Sequence, residues 1–223
     1  MARDTSSPVV LLDVDGTLVD SNYLHVDAWV RAFADVDVVV DGWRVHRCIG
    51  MGSTQLIDTL AGHDADRVRD DVTDAHARHY AAAADLLRPF DGARELVRVL
   101  AERGQRPVLA TSASPDELDR LREVLDVEPE LHAITSADDV EAAKPEPDLV
   151  HVALEAAGVE ASAAVFVGDT VWDVEAAKKA GVPCVALRSG GIGDDELREA
   201  GAVAIYDDVA ALLAALDESP LTS

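Results

Sequence analysis

Carboxylate, hydroxyl and lysine side chains recur in this sequence just after short apolar runs. The first group, Asp13-Val14-Asp15-Gly16-Thr17, directly follows the aliphatic run at 9–12. The later groups are Thr111 and Ser112, Lys144 before a Pro-x-Pro turn, and Gly168 and Asp169 followed by Asp173. Each residue taken alone is more typical of a helix cap, a turn or a solvated loop. Their joint placement instead favours one shared site.

Several carboxylates combined with one lysine and one hydroxyl suit a hard divalent cation together with a phosphate. Mg²⁺ prefers oxygen ligands, and proteins usually hold it with one or two carboxylates and the phosphate of the substrate. The acidic groups alone would repel an anion. A dication and the ammonium group of Lys144 would offset that repulsion. The pattern therefore predicts a hard divalent cation such as Mg²⁺ together with a phosphate group.

The apolar runs predict buried β-strands with helices between them. Strands are predicted at 9–12, 107–110, 163–167, 182–187 and 203–205, and helices at 93–103, 116–125, 147–157 and 173–180. This alternation predicts an α/β fold with a Rossmann-like parallel sheet flanked by helices. Ligands bind beyond the carboxyl ends of such strands, where the polar groups described above lie.

The segment 20–86 has helical periodicity but no comparably clean buried strand. Helices are predicted at 23–34, 54–60 and 66–84, whereas 36–40 is ambiguous because an apolar, alternating run lies between two aspartates. We interpret 20–86 as an α-helical insert placed after the first strand. Residues 1–19 and 87–223 would then form the Rossmann-like core.

Four motifs, in order and at plausible spacing, resemble those of the haloacid dehalogenase superfamily. They are Asp13-Val14-Asp15-Gly16-Thr17-Leu18, Thr111 ending an apolar strand, Lys144-Pro145, and Gly168-Asp169 followed by Asp173. The first motif alone is moderately specific, but the ordered set is highly specific and spans nearly the whole chain. The insert is similar to the cap of the subclass that includes phosphoglycolate phosphatase and β-phosphoglucomutase.

This resemblance implies an Mg²⁺-dependent phosphatase that acts on a small phosphomonoester, similar to phosphoglycolate or a sugar phosphate. Asp13 would be the nucleophile that forms an aspartyl-phosphate. Asp15 would act as general acid toward the leaving oxygen and then as base toward water. Thr111, with help from Ser112, would donate hydrogen bonds to the phosphoryl oxygens, and Lys144 would pair with both the phosphate and Asp13.

The resemblance also implies the metal ligands and the substrate contacts. The metal would be held by Asp13, the backbone carbonyl of Asp15, Asp169 and, directly or through water, Asp173. The residues expected to bind phosphate or substrate are Gly16, Thr17, Ser112, His25 and Arg47. Arg47 would equally well be a solvent-exposed residue of a surface helix that lies beside acidic residues. His25 would equally well be a packing residue.

Three other activities and a non-catalytic role are weighed against the phosphatase. Asp15 disfavours carbon–halogen chemistry, because the dehalogenases lack this second aspartate, and the absence of lysine from the insert disfavours a Schiff-base hydrolase. A sugar phosphomutase similar to β-phosphoglucomutase is the main alternative, because His25-x-x-Ala28-Trp29 resembles that enzyme although the cap lysine is missing. A non-catalytic binding or regulatory protein is the third hypothesis.

The charge balance disfavours whole classes of partner. Nineteen Lys and Arg against 43 Asp and Glu give a net charge of -24, which argues against nucleic acid and anionic membranes. No apolar run approaches the roughly 20 residues of a membrane span. Two cysteines and no basic leader predict a cytoplasmic protein without a signal peptide. The oligomeric state is expected to be a monomer or a homodimer.

Overall fold

The computed structural model describes residues 8–136, 139 and 142–222. The chain divides into an α/β unit, Met1–Asp20 with Arg88–Ser223, and a helical unit, Ser21–Leu87. The first seven residues, for which no signal peptide is expected, lie outside the described residues. No described helix combines the length and the apolar character needed to cross a lipid bilayer.

The α/β unit contains a parallel sheet whose central strand leads into the first polar motif. Its strands are β1 (Val9–Leu12), β2 (Arg106–Ala110), β3 (Ala133–Thr135), β4 (Ala164–Gly168), β5 (Cys184–Leu187) and β6 (Ala204–Tyr206). Their order is β3-β2-β1-β4-β5-β6, and every pair is parallel. Leu12 pairs with Leu109 on one side and Val167 on the other. The predicted α/β parallel fold is confirmed, and the ends of β1, β2 and β4 are neighbours.

The helical unit contains four α-helices around an apolar core, with two short 3-10 helices, Gly62–Asp64 and Ala84–Leu86. The α-helices are α1 (Asn22–Asp35), α2 (Gly42–Cys48), α3 (Ser53–Ala61) and α4 (Ala65–Ala82). The ambiguous segment 36–40 forms a turn and an irregular connection between α1 and α2. Its alternating valines, Val36, Val38 and Val40, pack partly buried against the helical core, which explains an apolar pattern without a strand.

The described part of the α/β unit contains six α-helices, besides short 3-10 helices. The α-helices are α5 (Ala93–Glu102), α6 (Pro115–Leu125), α7 (Asp148–Ala157), α8 (Val171–Lys179), α9 (Asp194–Ala200) and α10 (Val209–Ala214). The start of α6 is set by a capping box between Ser114 and Glu117, with Pro115 as the first helical residue. The sequence patterns did not predict β3, α9 or α10, which have only three, seven and six residues.

Candidate active site

The first polar motif begins where β1 ends and is held there by the backbone. The N–H of Asp13 donates to the carbonyl of Val167 at 2.9 Å, so that Asp13 continues the pairing of β1 with β4. The next residues form a tight turn, in which the N–H of Gly16 donates to the carbonyl of Val19 at 2.8 Å. Gly16 has a φ of 76°, a left-handed conformation that favours glycine. This turn leaves Asp15 only partly buried and Asp13 buried.

Lys144 links two of the predicted carboxylates inside the unit. Its Nζ lies 2.6 Å from Oδ1 of Asp13 and 2.6 Å from Oδ1 of Asp173. The Lys144 side chain is 2% exposed, and its Nζ lies 5.7 Å from the centre of the Phe166 ring. Among the described residues it is the only lysine or arginine that is buried. The ammonium group is therefore committed to this cluster of acids.

Asp173 is oriented by the helix on which it lies. It forms a capping box with Thr170 at the start of α8: the Thr170 N–H donates to Oδ2 of Asp173 at 3.0 Å, and the Thr170 hydroxyl donates to the same oxygen at 2.6 Å. Oδ1 is thereby left to face Lys144. A Cβ on Gly168 would lie 2.5 Å from the Cβ of Asp173, so a residue larger than glycine would displace this carboxylate.

Thr17 connects the first motif to Asp169. Its hydroxyl lies 3.2 Å from Oδ2 of Asp13 and 3.0 Å from Oδ1 of Asp169. Thr17 and Asp169 are both fully buried. The phosphate contact predicted for Thr17 stays a prediction, and in the structure the Thr17 hydroxyl contacts these two carboxylates.

Burial and repulsion between the acids change the proton affinity of the site. Burial raises the pKa of Asp13 to about 7, and the neighbouring carboxylates of Asp173 and Asp15 add to this rise, while Lys144 opposes it. Burial acts to lower the pKa of Lys144, but Asp13 and Asp173 outweigh it, so this pKa lies above its usual value. Lys144 therefore stays protonated, and Asp13 is easily protonated as long as no further positive charge is present.

The acidic cluster has the chemistry of a site for a divalent cation. Asp13, Asp169 and Asp173 each offer a carboxylate oxygen, and these ligand atoms lie within 4.8 Å of one another. All three residues are buried, and one ammonium group cannot balance their charge when all are ionised. An all-oxygen, negatively charged and buried donor set fits a hard cation. The residues present therefore fit the predicted metal.

Thr111 and Ser112 follow β2, the neighbour of β1. The Thr111 N–H donates to the carbonyl of Thr135 at 3.2 Å, and its hydroxyl oxygen accepts the N–H of Ala113 at 3.0 Å. Since that oxygen is the acceptor, the hydroxyl proton is free to be donated elsewhere. Thr111 is buried and Ser112 partly exposed.

His25 and Arg47 lie in the helical unit. His25 belongs to α1; its Nδ1 lies 3.1 Å from Nε2 of His76, and its ring stacks on Tyr80 with centroids 4.0 Å apart. Arg47 lies exposed near the end of α2. These contacts place His25 within the packing of its own unit, and the substrate roles of His25 and Arg47 stay predictions.

Three further residues support the site without having been singled out from the sequence. The Thr170–Asp173 capping box matches a Thr-x-x-acid pattern before a helix, so the sequence did carry a signal for Thr170. Ser189 and Gly190, in the turn that follows β5, touch Gly16 and adjoin Asp169 respectively. No local pattern marks these two, because their partners are far away in the sequence.

The chain is similar to known hydrolases and phosphatases over most of its length. The family model of the haloacid dehalogenase-like hydrolases matches residues 8–181. The chain is similar to a phosphoglycolate phosphatase of Rhodospirillum rubrum, at 34% identity over 91% of this chain and 88% of that protein. It is also similar to a validoxylamine A 7'-phosphate phosphatase of Streptomyces hygroscopicus subsp. limoneus, at 31% identity over 80% of this chain and 84% of that protein.

A solved structure shares the whole fold. A hydrolase from Pseudomonas syringae superposes with a TM-score of 0.90 at 31% identity, covering 95% of this chain and 99% of that chain. The similarity thus extends over nearly the full length of both chains.

Proposed function

We propose that this chain, which belongs to the haloacid dehalogenase-like hydrolase family, is an Mg²⁺-dependent phosphatase that hydrolyses a small phosphomonoester. The predicted family resemblance is confirmed. The proposal depends above all on one observation, the buried contact of Lys144 with Asp13 and Asp173 next to Asp169. Such an arrangement can bind a phosphate only when positive charge offsets the acids.

The covalent chemistry would use the two aspartates of the first motif. A carboxylate oxygen of Asp13 attacks phosphorus, the bond from phosphorus to the leaving oxygen breaks, and Asp15 donates a proton to that oxygen. Water then attacks the phosphorus of the aspartyl-phosphate while Asp15 accepts its proton. Inorganic phosphate leaves, and both carboxyl groups return to their starting state.

The other residues would orient the reactants and neutralise charge. Asp13, Asp169 and Asp173 with the backbone carbonyl of Asp15 would hold Mg²⁺, which supplies positive charge to the phosphoryl oxygens. Lys144 would remain protonated and face the same oxygens. The Thr111 hydroxyl, whose oxygen already accepts the Ala113 N–H, would donate its proton to the phosphoryl group.

The proposal is tested with Asp13→Asn, using Mg²⁺ and a generic aryl phosphate. We expect turnover to fall by about 10⁴-fold or more, because an amide cannot act as the nucleophile. Asp74→Asn, an exposed aspartate on α4, is the matched control and should keep wild-type turnover. Mg²⁺-dependent turnover that persists in Asp13→Asn would refute the nucleophile assignment.

A panel of phosphorylated metabolites distinguishes the phosphatase from its alternatives. Release of inorganic phosphate from a small phosphomonoester is the expected result. An isomerised sugar phosphate that forms faster than free phosphate in the presence of a bisphosphate primer would establish the mutase instead. The absence of any turnover across the panel would favour a binding protein.

A cytoplasmic location is part of the proposal. Both cysteines, Cys48 and Cys184, are free and buried. Free thiols are the usual state of cysteine in the reducing cytoplasm. The choice between monomer and homodimer stays a prediction.

A further inference from the structure

The turn after β5 reaches the first motif although it lies beyond the residues that the family model matches. That match ends at residue 181. Ser189 donates its hydroxyl hydrogen to the backbone carbonyl of Gly16 at 2.6 Å. The two residues are 173 positions apart in the sequence, and Ser189 is partly buried. The contact therefore depends on tertiary structure alone.

The carbonyl that accepts the hydrogen bond from Ser189 belongs to the turn that contains the proposed acid and base, Asp15. Gly16 lies between Asp15, the proposed acid and base, and Thr17, whose hydroxyl contacts both Asp13 and Asp169. The carbonyl of Gly16 is separated from the backbone of Thr17 by one peptide bond. A hydrogen bond to this carbonyl therefore restricts rotation of the peptide plane that joins Gly16 to Thr17.

The next residue, Gly190, leaves room for a predicted metal ligand. A Cβ added to Gly190 would overlap the Oδ2 and carbonyl oxygens of Asp169 and would lie 3.0 Å from its Cβ. Gly190 does not have a left-handed φ, so the backbone itself would accept another residue. The requirement for glycine at this position is therefore one of space beside the Asp169 carboxylate.

The turn is attached firmly at Arg188, the residue before Ser189. The Arg188 guanidinium contacts Asp194 through two nitrogens, one of them at 2.8 Å, and it also contacts Asp207. Asp194 is the first residue of α9, and Asp207 follows β6. A planar guanidinium paired with carboxylates from two elements limits how far the turn can move.

We propose that Ser189 and Gly190 are positioning residues for the active site. Ser189 fixes the Asp15-Gly16-Thr17 turn, and Gly190 leaves the space that the Asp169 carboxylate occupies and from which it would hold a bound metal. This inference rests on the proposed function for its effects on catalysis and on Mg²⁺ affinity, but not for its effects on structure.

Ser189 is tested with Ser189→Ala and Ser189→Thr. Loss of one hydrogen bond that orients reacting groups should lower kcat about fivefold with little change in KM, and Ser189→Thr, which retains the hydroxyl, should recover most of it. Hydrogen exchange of the amides at 14–19 should accelerate in Ser189→Ala and stay slow in Ser189→Thr. Unchanged kcat and unchanged exchange in Ser189→Ala would overturn the role of Ser189.

Gly190 is tested by Mg²⁺ titration calorimetry of Gly190→Ala. Displacement of the Asp169 carboxylate should weaken Mg²⁺ binding about tenfold or more. Gly193→Ala is the matched control, since a Cβ there would come no nearer than 3.8 Å to Glu196, and its affinity should match that of the wild type. Equal Mg²⁺ affinities of Gly190→Ala and the wild type would overturn the role of Gly190.

The two proposals can fail separately. If the wild type binds Mg²⁺ but releases no phosphate, the proposed function fails, while exchange and calorimetry still decide the roles of Ser189 and Gly190. If Gly190→Ala does not fold, as judged by circular dichroism, then the glycine is needed for the fold as a whole and its positioning role is refuted. The Ser189→Ala and Ser189→Thr variants would still decide the role of Ser189.

Discussion

The α/β unit and the helical unit both bury polar side chains, but the two sets differ in charge. The buried set at the ends of β1 and β4 consists of Asp13, Asp169, Asp173 and Lys144. In the helical unit the buried His76 stacks on Trp29, with ring centroids 3.9 Å apart, and its Nε2 lies 3.1 Å from Nδ1 of His25. The first set has three acids to one ammonium group, whereas the second is a stack of rings.

The difference indicates that the buried charged groups of the α/β unit serve the chemistry, whereas the stacked rings of the helical unit serve packing. Burying charge costs free energy unless each charge is paired, and like charges add to that cost. The raised pKa of Asp13 is a direct sign of this cost. Stacked aromatic rings instead bury large apolar areas and stabilise the fold. We therefore expect substitutions in the first set to affect activity most and those in the second to affect stability.

Among the variants that compare the two units, Lys144→Met should have the largest effect, and this effect is on activity. Removal of the ammonium group leaves Asp13 and Asp173 unbalanced and takes away a charge facing the phosphate, so kcat/KM should fall about 10³-fold. Lys179→Met is the control, since Lys179 pairs at the surface with Glu146 at 2.9 Å and should be dispensable. Steady-state kinetics measure both. A Lys144→Met enzyme with more than a tenth of wild-type kcat/KM would contradict the comparison.

The next effect is on stability and belongs to the helical unit. Trp29→Ala removes a buried ring from the stack and should lower the free energy of unfolding by about 3 kcal/mol. The control is Trp43→Ala, since Trp43 is 70% exposed; its effect should be about 0.5 kcal/mol or less. Urea denaturation followed by circular dichroism measures both variants. Similar losses in the two would show that the stack does not stabilise the unit.

A smaller effect is the pH dependence of stability in the metal-free protein. The folded pKa of Asp13 is raised from 3.8 to about 7, so Asp13 contributes stability that is fully present below pH 3.8 and is lost as the pH rises through about 7. The Asp13→Asn variant has no carboxyl group at this position, so it does not lose this stability as the pH rises. Its stability relative to the wild type should therefore increase by about 2 kcal/mol between about pH 5 and pH 7.5.

This prediction is checked by urea denaturation with EDTA at both pH values. A stability difference between Asp13→Asn and the wild type that does not change with pH would mean that the Asp13 carboxyl is not destabilised by its surroundings. In that case, burying the charged groups of the α/β unit would not cost free energy, and the comparison of the two units would be wrong on this point.

The smallest effect is that of His76→Phe. A phenyl ring keeps most of the stacking on Trp29 but cannot bond to Nδ1 of His25, so the free energy of unfolding should fall by about 1 kcal/mol. His63→Phe is the control, because the His63 side chain is 95% exposed. A loss in His76→Phe as large as that in Trp29→Ala would mean that the hydrogen bond, and not the stacking, stabilises the unit.

Local sequence patterns predicted the strands that carry the site but not β3, which lies at one edge of the sheet. β1 and β4 are continuous apolar runs that end in polar residues, so their ends and the position of Asp13 could be located. β3 has three residues and depends on pairing with β2, from Val108–Ala133 to Ala110–Thr135. Its residues do not form a distinct apolar run in the sequence, and the strand is defined by its pairing with β2.

The sequence by itself determined which residue types follow each strand, and hence the α/β fold and the set Asp13, Lys144, Asp169 and Asp173. These depend on hydrophobic runs and motifs, which are local in the chain. Only the tertiary structure decided how the set is arranged: Lys144 between two carboxylates, Thr17 bonded to acids, and Ser189 against Gly16. The physical reason is that hydrogen bonds and ion pairs act over about 3 Å, so contacts between distant residues exist only after the sheet has brought the strand ends together.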